Sequence, residues 1–263
     1  MSKTIILIHG AWVTPKCWDN FKGYFEKRGY TVLTPAWPGK ERSVEEQQRS
    51  PDQILLKTGL KEVVEYYTKI VRTESEPPIL IGHGFGGFIV QALLDRGLGK
   101  MGIAIDSAPP KGVFSLFPSA VWSLLYPLVI PFSWKKILTC PFEDFVYGLL
   151  NESFTREEQE KIYHDFAVPE CCKIFWQAAL SPLGDAMYIN FKNKNRAPLL
   201  MIAGEKDHLV PAAMNKINFK KYTGNGTKTD FKEFPGRVHW LIAQKGWEEV
   251  AEYCEKWIGE QTV

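Results

Sequence analysis

Two side chains able to move protons follow successive late strand-like runs. Asp207 lies beyond the run Pro198 to Ala203, within Ala203-Gly-Glu-Lys-Asp207-His-Leu-Val-Pro211. His239 lies beyond Asp230 to Phe234, within Pro235-Gly-Arg-Val-His239-Trp. Consecutive strand ends in a parallel sheet share a rim, so this placement predicts a hydrogen-bonded imidazole–carboxylate dyad with His239 as general base. A glycine-rich turn, Gly82-His83-Gly84-Phe85-Gly86-Gly87, joins the run Pro78 to Gly82 to an apolar helical pattern. A dinucleotide fingerprint needs such a turn at the first strand and an acidic residue about twenty positions further on. Here the turn follows a late strand, which disfavours that chemistry.

The remaining polar candidates divide by context. Asp106 also ends a strand and is an alternative acid, and Ser107 beside it is a serine on the same rim that can stand in as a nucleophile. His9 and His83 flank glycine turns and are expected to bond backbone and shape them, whereas His164 and His208 read as surface residues. Neither H-E-x-x-H spacing nor a phosphate loop occurs, so no metal and no cofactor is expected. The five cysteines, Cys17, Cys140, Cys171, Cys172 and Cys254, are odd in number and contain no C-x-x-C pair. They predict neither a disulfide framework nor a zinc site, and the adjacent Cys171 and Cys172 read as packing residues of a protein in a reducing cytoplasm.

These residues need a scaffold. Strand-like runs at Thr4 to His9, Tyr30 to Pro35, Pro78 to Gly82, Met101 to Asp106, Pro198 to Ala203 and Asp230 to Phe234, several of them apolar throughout, alternate with helical patterns near 17–28, 52–72, 86–97 and 212–221. A closing helix stacks Trp247, Val250, Ala251, Cys254 and Ile258 on one face. Alternating strands and helices read as a mostly parallel α/β sheet covered on both faces. From Lys111 to about Asn190 no convincing strand is found, and aromatics crowd helical fragments. This predicts a helical cap over 111–190, inserted after the strand ending at Asp106 into a core made of 1–110 and 191–263. Within it Val113 to Trp134 carries no charge, but Pro118, Pro127 and Pro131 break it and Ser115, Ser119, Ser123 and Ser133 dilute it. A membrane span, and a membrane partner, are therefore not expected. The chain has 263 residues and a formal charge of +2 with no basic tract, which argues against nucleic acid. The N-terminus shows no signal-peptide pattern, so the mature chain is expected to begin at residue 1.

The strand, tight turn and helix around Gly82-His83-Gly84-Phe85-Gly86 resemble the nucleophile elbow, G-x-S-x-G, of the α/β-hydrolase fold family of serine esterases and lipases. Gly82 and Gly86 match the flanking glycines, and Gly84 stands where the family has serine. The order 84, 207, 239 is the family's order of nucleophile, acid and histidine. His9-Gly10-Ala11-Trp12 is similar to the H-G turn that supplies one oxyanion amide, so the resemblance implies backbone donors at Ala11 or Trp12 and at Phe85. It extends over residues 4 to 258 and implies a hydrolase of carboxylic esters, lactones or amides.

Glycine at 84 removes the attacking hydroxyl, so no acyl-enzyme can form there. Three accounts stand open: a hydrolase site without its nucleophile, the substitution being natural or introduced; an enzyme using His239 as base on water or on a substrate proton, as a lyase or cofactor-free oxygenase would; and a non-catalytic binder of small ligands. The nine Trp, ten Tyr and sixteen Phe point to an apolar or aromatic ligand, an ester or lactone under the first account, with Trp12, Trp122, Tyr126, Trp134 and Trp176 as candidate contacts.

Overall fold

A computed structural model describes residues 3–113, 117–224 and 226–261. Phe114, Ser115 and Leu116, part of the uncharged run, lie outside the described residues. In chain order the strands are β1 (Thr4–Ile8), β2 (Thr31–Leu33), β3 (Ile79–His83), β4 (Met101–Ile105), β5 (Ile137–Leu138), β6 (Glu170–Cys171), β7 (Leu199–Gly204) and β8 (Thr229–Phe234). The helices are α1 (Asp19–Glu26), α2 (Val44–Arg49), α3 (Leu60–Thr73), α4 (Phe85–Asp95), α5 (Pro118–Val129), α6 (Phe142–Phe145), α7 (Arg156–Phe166), α8 (Lys173–Ala179), α9 (Ala212–Lys221) and α10 (Glu248–Glu260).

Six strands form one parallel sheet in the order β2-β1-β3-β4-β7-β8. Ile5, Ile6, Leu7 and Ile8 of β1 are fully buried, as strands covered on both faces must be. α4 packs on β3 and β4 with α3 beyond it, α9 packs on β7 and β8, and α1 meets β2 and α10. α4 buries every residue from Phe85 to Leu94, which explains its nearly continuous apolar sequence. The strand order reverses direction between β1 and β3, and the register Ile8↔Gly82 brings their ends level. Such a switch point opens a crevice beyond the carboxyl ends of the strands. The chemistry-bearing residues gather there.

Between β4 and β7 the chain is mainly helical, with one departure from expectation. β5 and β6 pair antiparallel through Ile137↔Cys171 and Leu138↔Glu170. Two residues per strand are too few for alternation to register in the sequence. The pattern expected over 52–72 also divides into a 3-10 turn at Gln53–Lys57 and α3, because Gly59 separates them. No helix among the described residues is long and apolar enough to cross a membrane.

Candidate active site

One residue, Gly84, separates the end of β3 from the start of α4, with φ 59° and ψ −120°. Backbone proximity dictates the flanking residues. A Cβ on Gly82 would lie 2.1 Å from the Gly86 carbonyl oxygen, and one on Gly86 would lie 2.0 Å from that of Ile8. Both positions require glycine. At Gly84 there is room, because an ideal Cβ would meet His239 Nε2 at 3.4 Å and Gly10 Cα at 3.9 Å. Its positive φ is nonetheless one that residues with a Cβ adopt at a cost of about 1–3 kcal/mol.

His239 Nδ1 lies 2.7 Å from Asp207 Oδ2, both side chains buried. The Nδ1–H tautomer donates to that carboxylate and directs Nε2 towards Gly84. Asp207 is itself oriented by backbone, since its Oδ1 accepts from Leu209 and Val210 N–H at 2.8 Å each. His83 donates from Nε2 to the His239 carbonyl at 2.7 Å. Burial, then the nearby His239, holds its pKa well below the usual imidazole range, so it supports the turn as a neutral ring.

Asp106 also reaches this network, but its Oδ2 stands 4.0 Å from His239 Nδ1. Asp207 is therefore the imidazole's partner. Asp106 Oδ1 accepts from Gly204 N–H at 2.8 Å, and burial followed by the Asp207 charge raises its pKa well above the carboxylate range. Ser107 is turned away from attack: its Oγ accepts from Gln91 Nε2 at 2.7 Å and donates to the Ala108 carbonyl at 3.1 Å. Ligand-type atoms of His83, Asp106 and His239 lie within 4.8 Å of one another, with His83 Nε2, Asp106 Oδ1 and His239 Nδ1 already engaged in the contacts above. His208 bonds the Tyr147 carbonyl through Nδ1 at 3.0 Å, and His164 pairs on the surface with Asp165. All five cysteines are free and buried. Burial raises the pKa of the Cys172 thiol to about 12, keeping it protonated and unreactive.

The buried imidazoles set an acid sensitivity. His9 donates from Nδ1 to the Gly10 carbonyl at 2.8 Å and accepts Trp37 N–H at Nε2, 3.1 Å away. Burial, then the charge of Lys40, lowers its pKa from 6.5 to about 3. As pH falls below 6.5 the unfolded chain takes up a proton that the folded chain refuses, so folding loses about 1.4 kcal/mol per pH unit for such a group. His83 acts in the same sense. Asp106 opposes them, because above pH 3.8 the folded state retains a proton that the unfolded state has released. The difference in unfolding free energy measured in urea between pH 7.5 and pH 5 is expected to carry a His9 contribution of about 2 kcal/mol, lost at the lower pH. His9→Gln is expected to reduce that difference, and an unchanged difference would remove His9 as a cause.

Beyond Gly84 and His239 lies an apolar cavity of about 270 Å³. Ala11, Trp12 and Phe85, expected on the oxyanion side, line it together with Gly84 and His239. Trp12 stacks on Phe175 with ring centroids 4.3 Å apart. Of the five aromatic contacts expected from sequence, Trp12 alone lines this cavity; Trp122, Tyr126, Trp134 and Trp176 do not. Trp122 is mainly exposed, and Trp176 donates from Nε1 to Ser133 Oγ at 2.7 Å. The walls contributed between β4 and β7 are apolar helical stripes: Val121, Leu124, Leu125 and Leu128 of α5, and Phe175, Ala178 and Ala179 from α8. Spacings of i, i+3, i+4 and i+7 were the sequence signal for these faces, and ring size was a poorer guide.

A second unheralded feature is a buried ion pair. Lys40 Nζ meets Glu170 Oε2 at 2.7 Å, and Lys40 Nζ also donates to the Val13 carbonyl at 3.4 Å. The pair joins β6 to the loop after β2, and the Val13 contact extends the link to the loop after β1.

The pattern of the alpha/beta hydrolase family matches positions 5–253. A carbendazim hydrolyzing esterase from Nocardioides sp. (strain SG-4G) is 27% identical over 121 residues, 44% of this chain and 48% of that protein. The chain thus aligns with about half the length of this curated relative. Among solved structures, a monoacylglycerol lipase from Paleococcus ferrophilus superposes with a TM-score of 0.67 at 18% identity, covering 98% of this chain and 94% of that one. A pyrethroid hydrolase from Sphingobium faniae JZ-2 gives 0.64 at 19% identity, covering 97% of both. At such identities the structures speak to fold, and the family pattern spans most of the sequence. The chain belongs to the alpha/beta hydrolase family.

Proposed function

We propose that this chain carries a hydrolase-type site for esters or lactones of small apolar acids, with every part of the machinery except the attacking alcohol. Asp207 orients His239, and His239 Nε2 is the base. Backbone N–H groups of Ala11 or Trp12 and of Phe85 receive the developing oxyanion, Phe85 lying in the first turn of α4 where amides lack intrahelical acceptors. Residues 111–190 act as a cap whose apolar stripes hold the apolar group. The carrying observation is the 3.4 Å from an ideal Cβ at Gly84 to His239 Nε2, the separation from which a serine hydroxyl can turn onto that nitrogen. Relatives named as esterases and lipases support an ester as the bound class.

Without the alcohol, acyl transfer is confined to direct attack by water. Residual catalysis of that kind amounts to about 10³–10⁴ over the uncatalysed reaction. Small aryl esters such as 4-nitrophenyl butyrate are therefore expected to bind saturably, read by tryptophan fluorescence, with slow hydrolysis and no acyl adduct by intact mass. Turnover by the Gly84 chain in the ordinary enzyme range of about 1–10³ s⁻¹, accompanied by an adduct on another residue, would overturn this reading. A second reading is favoured by the orientation of His239 Nε2 towards the open space at Gly84: general-base removal of a substrate proton. It requires turnover that disappears in His239→Ala, and equal rates in the two proteins exclude it.

A further inference from the structure

The insertion exposes apolar side chains beside the cavity. Val121, Trp122, Leu125 and Val129 of α5 and Phe132 and Trp134 just beyond it are all exposed, Trp122, Val129 and Phe132 by 59%, 61% and 64%. Past α8, Leu183 is 87% exposed. Val121 and Leu125 also line the cavity, so its mouth opens through this face. Phe132 adopts φ 57°, a costly conformation for a residue with a Cβ, and is not buried in return. Its ring meets Trp134 edge-on at 5.4 Å, and Trp134 meets Trp176 at the same distance. Through its bond to buried Ser133, Trp176 anchors this aromatic row.

Two exposed lysines directly follow Trp134, whereas of the acids on α6, which packs on α5, Glu143 is paired with Arg156 at 3.0 Å and Asp144 bears on Tyr126. Between Lys111 and Glu143 the charged residues are Lys135 and Lys136, both exposed. Asp185, close to Leu183 in sequence, is paired with Lys111 at 2.9 Å. Indole and phenyl rings settle in the headgroup zone of a bilayer, and ammonium groups beside them are drawn to anionic lipid. Two copies of the chain meeting on this face would instead crowd their lysines together.

We propose that the face formed by α5, Phe132 and Trp134 docks on an anionic lipid surface, so that the cavity receives its apolar substrate from that surface. The sequence reading expected no membrane partner; side-chain exposure, which composition does not reveal, supports one here. Docking itself is independent of the proposed chemistry, and only delivery into the cavity rests on that reading.

Vesicle co-sedimentation tests it. The native chain is expected to bind mixed phosphatidylcholine and phosphatidylglycerol vesicles with a blue shift in tryptophan emission. It should bind phosphatidylcholine alone more weakly and lose affinity as salt rises. Lys135→Glu with Lys136→Glu, and separately Val129→Ser with Phe132→Ser, are each expected to weaken binding by at least about tenfold. All four side chains lie outside the cavity lining, so binding of soluble 4-nitrophenyl butyrate should persist in both variants, which separates failure of docking from failure of the site. Absence of binding to anionic vesicles, or binding unaffected by both variants, overturns the proposal. So does a native dimer in sedimentation velocity that Val129→Ser with Phe132→Ser dissociates, since a second copy then covers the face.

Discussion

Gly84→Ser is expected to confer hydrolysis of small aryl esters on this chain. The turn at 82–86 already has a backbone that suits a serine, with φ 59° at position 84 and glycine at 82 and 86, where a Cβ would strike main chain. The base is already oriented, with His239 Nδ1 2.7 Å from Asp207 Oδ2. A serine hydroxyl added here would find an acceptor in His239 Nε2. Removing a serine nucleophile from an assembled triad costs up to about 10⁶-fold in kcat, so its addition is expected to raise ester hydrolysis by at least about 10³-fold, and a stable acyl or phosphonyl adduct should appear by intact mass. The gain should vanish when His239→Ala is added. The melting temperature is not expected to rise, because serine at this φ bears strain of about 1–3 kcal/mol that glycine avoids. A folded variant with neither turnover nor adduct would mean that the oxyanion donors or the dyad are not arranged for acyl transfer.

The second large effect concerns stability. Lys40 and Glu170 pair at 2.7 Å with side chains 0% and 2% exposed. Burying either charge alone is costly, so Glu170→Ala, which strands the ammonium, is expected to destabilise the fold by about 3–5 kcal/mol. Domains of this size have about 5–15 kcal/mol in total. Lys40→Met combined with Glu170→Leu removes both charges and is expected to recover most of that loss or exceed the native stability. Urea unfolding of native, single and double variants forms the necessary cycle. A cost below about 1 kcal/mol for Glu170→Ala, or a double variant no better than the single, would show that the pair is not what joins β6 to the loop after β2.

Much of the site was legible because its signals are local. Gly82 and Gly86 announce a turn between a strand and a helix, and Asp207 and His239 each follow a strand-like run, so the shared rim is inferable from topology. His9 and His83 likewise flank glycine turns, and in the structure both ring systems bond backbone. Other parts depended on which way a helix is rotated. Phe175 and Trp176 are adjacent aromatics, yet Phe175 lines the cavity and Trp176 braces Ser133. One step along a helix turns a side chain by about 100°, and composition carries no such information. The β5–β6 pairing and the Lys40–Glu170 contact depend on residues more than a hundred positions apart or on strands too short for a period.

Sequence alone determined the parallel α/β framework, the tight turn at 82–86, and the absence of an attacking oxygen at position 84, since backbone sterics and residue chemistry act within a few neighbouring positions. Tertiary structure alone decided that Asp207 rather than Asp106 holds His239, because 2.7 Å against 4.0 Å results from how three strand ends and their loops pack. It also decided which apolar side chains between β4 and β7 face the cavity and which face outward, a matter of helix rotation against neighbours that no linear pattern carries.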